Sequence, residues 1–166
     1  MLVPLKQFIC DTCDEIIKNP EEGWIEWISK SDFDKGTREI HSFNIVHHYS
    51  YSPLATPNNE GCYQHSGKSG RSDNHLNHFI SDNYKMANIL RFLDIGPYHN
   101  PDYKGTDITN MRQYVETVRR LTIPYFEEAR LYWDKALEDG YFQDANELWI
   151  YGVDNLKRLI EIYGDK

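Results

Sequence analysis

The sequence predicts an α+β protein, with a small antiparallel β part in residues 1–73 and a cluster of three to four helices in residues 74–166. Apolar residues alternate with a period of two in the first part and recur every three or four residues in the second. All three cysteines lie in the first part. With 40% apolar residues in 166, the two parts can share a core and pack together as one compact unit.

Two strands are predicted in the first part, over residues 23–29 and residues 39–48, where apolar and polar side chains alternate. A strict period of two places His41, Phe43, Ile45 and His47 on one side of the second strand. Residues 49–73 are rich in Ser, Pro, Asn and Gly, and we expect a long loop there. Loops of this length inside a compact domain are typically functional or disordered.

The second part shows helical spacing from about residue 74, and a first helix is expected to end at Gly96-Pro97. A second helix is expected to be interrupted at Pro124, because proline removes a helical hydrogen bond and clashes with the preceding turn. A final helix is expected after Asp144, which with Glu147 resembles a capping box.

A metal site is predicted from a Cys-x-x-Cys pair close to the first residue, since two such sulfurs can bind one tetrahedral Zn²⁺. A second pair with the same spacing supplies the two remaining ligands. The predicted ligands are Cys10, Cys13, Cys62 and His65. Three thiolates and one imidazole leave no coordination position open, which indicates a structural zinc ion.

Two histidines compete with His65 for the fourth position, because His47 and His48 end the second predicted strand. Two other interpretations of the cysteines remain open. In one, Cys10 and Cys13 are buried thiols without a metal and Cys62 is an ordinary loop thiol. In the other, the pair is redox-active, although the acidic residues around it would oppose a thiolate.

The formal charge of −8 disfavours two classes of partner, and both parts of the chain carry more acidic than basic residues. Nucleic acids and anionic membranes are bound through clustered cations, so neither is expected as a partner. No apolar stretch approaches the roughly 18 residues that a membrane helix needs. No leader-like segment precedes the cysteines, and a cytoplasmic location is expected, where Cys-x-x-Cys pairs more often bind metals than form disulfides.

Aromatic residues in the last helices are more numerous than one buried stripe requires. They are Tyr125, Phe126, Tyr132, Trp133, Trp149 and Tyr151. Most are expected in the core, and the remainder could form a surface for a protein partner, since Tyr and Trp provide large contact areas. The sequence therefore favours a non-enzymatic, zinc-stabilised protein-interaction module whose oligomeric state it does not indicate.

Two family resemblances accompany this interpretation. The segment of residues 45–48, followed by Asn59, Cys62 and His65, resembles a degenerate His-Asn-His (HNH) nuclease arrangement. That resemblance implies a metal-dependent nuclease with His47, His48 and Asn59 as catalytic residues, and it is the alternative function. Residues 8–27 and residues 121–130 are similar to small uncharacterised zinc-ribbon-like proteins of bacteria and phages, which implies no activity.

Overall fold

The computed structural model describes residues 1–32, 34–59, 61–64, 71–94 and 105–164. It confirms the α+β class. The strands are β1 (Phe8–Ile9), β2 (Ile16–Ile17), β3 (Gly23–Asp32), β4 (Thr37–His47), β5 (Arg71–His75) and β6 (Gly105–Ile108). The helices are α1 (Asn77–Ile80), α2 (Lys85–Leu90), α3 (Met111–Thr122), α4 (Phe126–Ala129), α5 (Trp133–Glu138), α6 (Glu147–Ile150) and α7 (Val153–Tyr163).

The main sheet has the strand order β5-β3-β4-β6, and β1 and β2 form a separate two-stranded hairpin. Strand β3 is antiparallel to both β4 and β5, whereas β6 is parallel to β4. Strand β5 spans residue 73, the predicted boundary between the β part and the helical part, and β6 lies in the predicted helical part. Both parts of the chain therefore contribute strands to the main sheet.

A β-bulge in β4 changes the predicted alternation of its side chains. Glu26 pairs with Asn44 and Ile28 pairs with His41, so β4 has one more residue than β3 between these pairs. Ser42 accommodates it with a positive φ of 56°. Directly paired residues share a face, so His41 lies on the face opposite to Ile45. The prediction that these two side chains share a side was wrong, because strict alternation cannot anticipate an extra residue.

The first hydrophobic core lies between the main sheet and α1 to α3. Trp27 and Phe43 project from the sheet, and the ring of Phe92 contacts both of them edge-on at centroid distances of 4.8 and 5.2 Å. Tyr114 on α3 closes the cluster and donates a 2.6 Å hydrogen bond to the carbonyl of Ile89. Burial of each large side chain contributes about 1.5–3 kcal/mol, so this cluster fixes α3 against the sheet.

The segment after residue 70 differs from the single helix predicted there. It begins with β5, whose polar sequence has no apolar alternation by which a strand could be predicted. The helical part is divided into α1 and α2, because Ser81 adopts an extended conformation at the end of α1. The predicted helix end at Gly96-Pro97 lies outside the described residues.

The second core is formed by α4 to α7. Helix α3 ends at Thr122, just before Pro124, and Tyr125 has a left-handed φ of 69° that redirects the chain into α4. The buried residues of this core are Phe126, Ala129, Ala136, Leu156, Leu159 and Ile160. The predicted cap at Asp144 was wrong, since Asn146 caps α6 by accepting a 3.0 Å hydrogen bond from the Trp149 amide. No helix among the described residues has the length and apolar character needed to cross a membrane.

A buried arginine joins the β1–β2 hairpin to the helices. The Arg120 guanidinium on α3 donates two hydrogen bonds to Glu127, at 2.7 and 2.9 Å, and two to Asp11, at 2.7 and 2.8 Å. A fifth, at 2.9 Å, goes to the carbonyl of Ile9. Glu127 in turn accepts a 2.8 Å hydrogen bond from the Ile9 amide. All three nitrogens of this guanidinium therefore donate, and they connect the β1–β2 hairpin, α3 and α4.

Replacing Arg120 by alanine is expected to lower the free energy of unfolding by about 3–5 kcal/mol, because two carboxylates would lose their buried partner. Urea denaturation measures this loss. Arg112→Ala is the matched control, since Arg112 is an exposed arginine on the same helix. Equal stabilities of the two variants would show that the Arg120 network contributes no net stability.

Candidate metal centre

Four potential metal ligands converge from three separate parts of the chain. Cys10 and Cys13 lie in the turn between β1 and β2, His47 ends β4, and Cys62 lies in a short 3-10 turn at Gly61–Gln64. Their ligand atoms all lie within 4.8 Å of one another. Cys10 and Cys62 are fully buried and His47 is 4% exposed. This cluster, the Cys3His centre, is close enough to hold one metal ion.

The turn that carries Cys10 and Cys13 has a defined backbone geometry. The Cys10 amide donates to the Glu15 carbonyl and the Asp14 amide donates to the Cys10 carbonyl, both at 3.0 Å. Asp14 adopts a positive φ of 61°, which brings the chain back into β2. Asp11 binds the edge of β4 through two hydrogen bonds. Its amide donates to the Ile45 carbonyl at 2.8 Å, and its carboxylate accepts from the Ile45 amide at 2.7 Å. The turn is thereby held beside His47.

His47 presents its Nδ1 atom to the sulfurs, at 3.5 Å from Cys13 Sγ and 3.9 Å from Cys62 Sγ. Its other ring nitrogen, Nε2, lies 3.4 Å from the Ile16 carbonyl and can donate to it. A backbone acceptor at one ring nitrogen leaves the other free as a ligand, which is the usual arrangement around a metal-bound histidine.

Cys62 is positioned by Ser52, whose hydroxyl donates to Cys62 Sγ and accepts from the Cys62 amide, both at 3.0 Å. Thr12 donates from its hydroxyl to the Cys62 carbonyl at 3.1 Å. Gly61 has a φ of 73°, and a Cβ atom there would lie 2.2 Å from Ser52 Oγ. Only glycine therefore permits the contact between Ser52 and Cys62.

Burial and hydrogen bonding shift the pKa values of the three thiols in different directions. Burial raises the pKa of Cys10, but hydrogen bonds from His47 and from the backbone outweigh this effect and lower it to about 6. Burial raises the pKa of Cys13 to about 12, and the neighbouring cysteines add to that shift. Burial also raises the pKa of Cys62. Without a cation the centre thus favours a single thiolate, and a divalent metal would offset the repulsion among three.

The predicted site residues have different positions in the structure. Cys10, Cys13 and Cys62 come together with His47, one of the two competing candidates, whereas His65 lies outside the described residues. His48 is outside the Cys3His centre, and its ring stacks on Trp24 at a centroid distance of 5.0 Å. Asn59 accepts a 2.8 Å hydrogen bond from the Gly61 amide and so stabilises the turn before Cys62. The roles of Ser52 and Gly61 were not predicted, because neither residue belongs to a recognisable sequence motif.

A buried carboxyl group lies next to the segment that carries Cys62. Tyr63 places its ring under the Arg71 guanidinium at 3.9 Å, and Arg71 reaches Glu26 on β3 at 3.7 Å. Glu26 is fully buried. Burial raises the pKa of Glu26 to about 8, although the Arg71 charge acts in the opposite direction. Glu26 is therefore expected to be largely protonated in the native protein at neutral pH.

His47→Ala is expected to lose the bound metal, because it removes one of the four ligands. Elemental analysis of protein purified without chelator measures the metal content. His48→Ala is the matched control and is expected to retain the metal, since its ring lies outside the Cys3His centre. His65→Ala is expected to retain it as well, and loss of metal in that variant alone would assign the fourth position to His65.

The free energy of unfolding is expected to decrease as the pH rises from about 5 to 8, because of the buried carboxyl group of Glu26. Because its folded pKa of about 8 exceeds the ordinary value of 4.5, the native state holds a proton that the unfolded chain releases in this interval. The slope can reach about 1.4 kcal/mol per pH unit. Glu26→Gln should lack this decrease in urea denaturation, whereas Glu21→Gln, at an exposed site, should retain it. A pH-independent difference between Glu26→Gln and the parent protein would show that Glu26 is ionised throughout.

Comparisons of the chain with protein-family models, with curated proteins and with solved structures find no match. The function of the protein is therefore inferred from the geometry and chemistry of its own residues, beginning with the Cys3His centre.

Proposed function

We propose that the chain is a non-enzymatic, zinc-stabilised protein-interaction module of the kind that regulates or inhibits a host protein. The observation that supports this proposal is the Cys3His centre, whose four ligand atoms lie within 4.8 Å of one another and three of whose residues are buried. Three sulfurs and one imidazole nitrogen form a donor set that suits Zn²⁺, which prefers four tetrahedral ligands in structural sites. The hairpin that carries Cys10 and Cys13 is then a zinc-ribbon-like element.

The zinc ion has a structural role in this proposal because four protein ligands complete its coordination. A catalytic zinc keeps one position for water or substrate, and here that position belongs to a fourth side chain. The ion joins the β1–β2 hairpin, the end of β4 and the turn at Cys62. These three segments are far apart in sequence, so the metal replaces contacts that a small core would otherwise have to provide.

The proposed partner-binding surface lies on the C-terminal helices, which expose several large apolar side chains. They are Leu131, Leu137, Leu148, Trp149, Val153 and Ile162. Leu148 is 90% exposed, so burial of its side chain contributes almost nothing to the stability of the folded chain. Trp is enriched among residues that contribute most to binding, and an almost fully exposed leucine can bury its side chain only against a partner.

Leu148→Asp is expected to abolish capture of a native partner without changing zinc content or thermal stability. The immobilised, zinc-loaded protein is incubated with a lysate of its source cells, and captured proteins are identified and then purified for a direct binding measurement. Leu54→Asp is the matched control, because Leu54 is also an exposed leucine but lies in the loop after β4. A purified partner that binds both variants equally would contradict the proposed surface.

The HNH-like nuclease is the alternative function, and the same protein tests it. Zinc-loaded protein is incubated with plasmid DNA in the presence of Mg²⁺ or Mn²⁺. The interaction module predicts intact DNA. Cleavage that is abolished by His48→Ala while zinc content persists would replace the interaction module with a metal-dependent nuclease.

A further inference from the structure

A groove lies between α3 and the helices α4 to α6, outside the Cys3His centre. Its volume is about 510 Å³. The α3 side contributes Arg112, Glu116 and Arg119, and the opposite side contributes Arg130, Trp133 and Tyr151. Small-molecule sites in proteins typically enclose about 300–1,000 Å³, so a ligand of nucleotide size fits this space.

The groove is cationic although the chain has a net charge of −8. Three arginines line it against a single carboxylate, Glu116. Arg112 and Arg119 are seven positions apart on α3, which places them two helical turns apart on one face. Within the part of the chain that the structure describes, neither guanidinium forms a salt bridge within 4.0 Å. These two charges are therefore available to an anion.

Two of the arginines are already held in place. Arg130 lies 3.4 Å from Glu127 and 3.6 Å from Asp11, which anchors it beside the buried Arg120 network. Arg119 places its guanidinium 4.0 Å from the ring centroid of Tyr151, on the opposite side of the groove. A stacked guanidinium keeps its N–H donors in its own plane, so it can still form paired hydrogen bonds with a phosphate or carboxylate.

The opposite side of the groove is aromatic. The rings of Trp133 and Tyr151 are nearly parallel, with an interplanar angle of 15° and a centroid distance of 5.8 Å. Phe126 packs against both rings at 6.0 Å and fixes their orientation. Aromatic side chains next to arginines are suited to a ligand that combines a planar ring with negative charge, because the ring contacts the aromatic side of the groove and the charge binds a guanidinium.

We propose that this groove binds a small phosphorylated ligand with an aromatic base, of which a nucleoside diphosphate is the simplest example. The phosphates contact Arg112 and Arg119, and the base lies at the side of the groove that Trp133 and Tyr151 line. The concave shape and the limited volume favour a small molecule over an extended acidic peptide. This site requires neither the zinc ion nor a protein partner, so it goes beyond the proposed interaction module.

Isothermal titration calorimetry with ADP and the full-length, metal-loaded protein tests the proposal. ADP is expected to bind, adenosine alone to bind more weakly, and inorganic pyrophosphate to compete. Arg119→Gln and Arg112→Gln should each weaken ADP binding by about tenfold or more, since each removes a charge-assisted hydrogen-bonding group. Arg38→Gln is the matched control on the exposed surface of β4 and should leave binding unchanged.

Several results would overturn the proposal. They are absence of ADP binding at millimolar concentration, equal binding by the parent protein and both groove variants, or adenosine binding as tightly as ADP. Binding of an acidic peptide such as oligo-glutamate, without binding of ADP, would assign the groove to a protein ligand instead. Arg112→Gln keeps the test valid if Arg119→Gln disturbs the fold, because Arg112 is exposed and has no partner among the described residues.

Discussion

The Arg120 guanidinium is the interaction on which the arrangement of the two cores depends. It lies between β1, α3 and α4, and each of its three nitrogens donates to an acceptor in the hairpin or in α4. A charge that is only 5% exposed is costly unless its partners are in place, so the network forms only when hairpin and helices have docked correctly. Asp11, one of those partners, lies between the two cysteines of the turn. The helical part and the metal centre are therefore coupled through one side chain.

Much of the metal centre could be predicted from the sequence, because Cys-x-x-Cys is a local pattern with a direct geometric meaning. The pair at Cys10 and Cys13 and the separate Cys62 could be proposed from spacing alone. The position of His47 beside the three sulfurs could not, since it depends on how β4 lies against the hairpin, and that packing is a tertiary property. Ser52 and Gly61 were missed for a similar reason. Their role is defined only by the turn that brings them next to Cys62.

The fold class and the two long strands could also be predicted, because hydrophobic periodicity reports burial directly. The predictions that were wrong have physical causes that hydrophobic periodicity does not reflect. The bulge at Ser42 changes the alternation of β4 without any sequence signal of its own. Strand β5 is polar and is recognisable only by its pairing with β3. The early end of α1 at Ser81 depends on one extended residue within an otherwise helical pattern.

Two hydrogen bonds between Asp11 and Ile45, one from the Asp11 amide and one to the Asp11 carboxylate, determine how the edge of β4 is closed. Strand β6 covers this edge only from Thr37 to Ile40, and the cysteine turn covers it at Ile45. If the turn detaches, the apolar end of β4 becomes an unpaired strand edge, which is a template for pairing with another chain. Detachment would then convert a covered strand edge into an aggregation site. The cysteine turn thus shields the edge of β4 in addition to placing Cys10 and Cys13 beside His47.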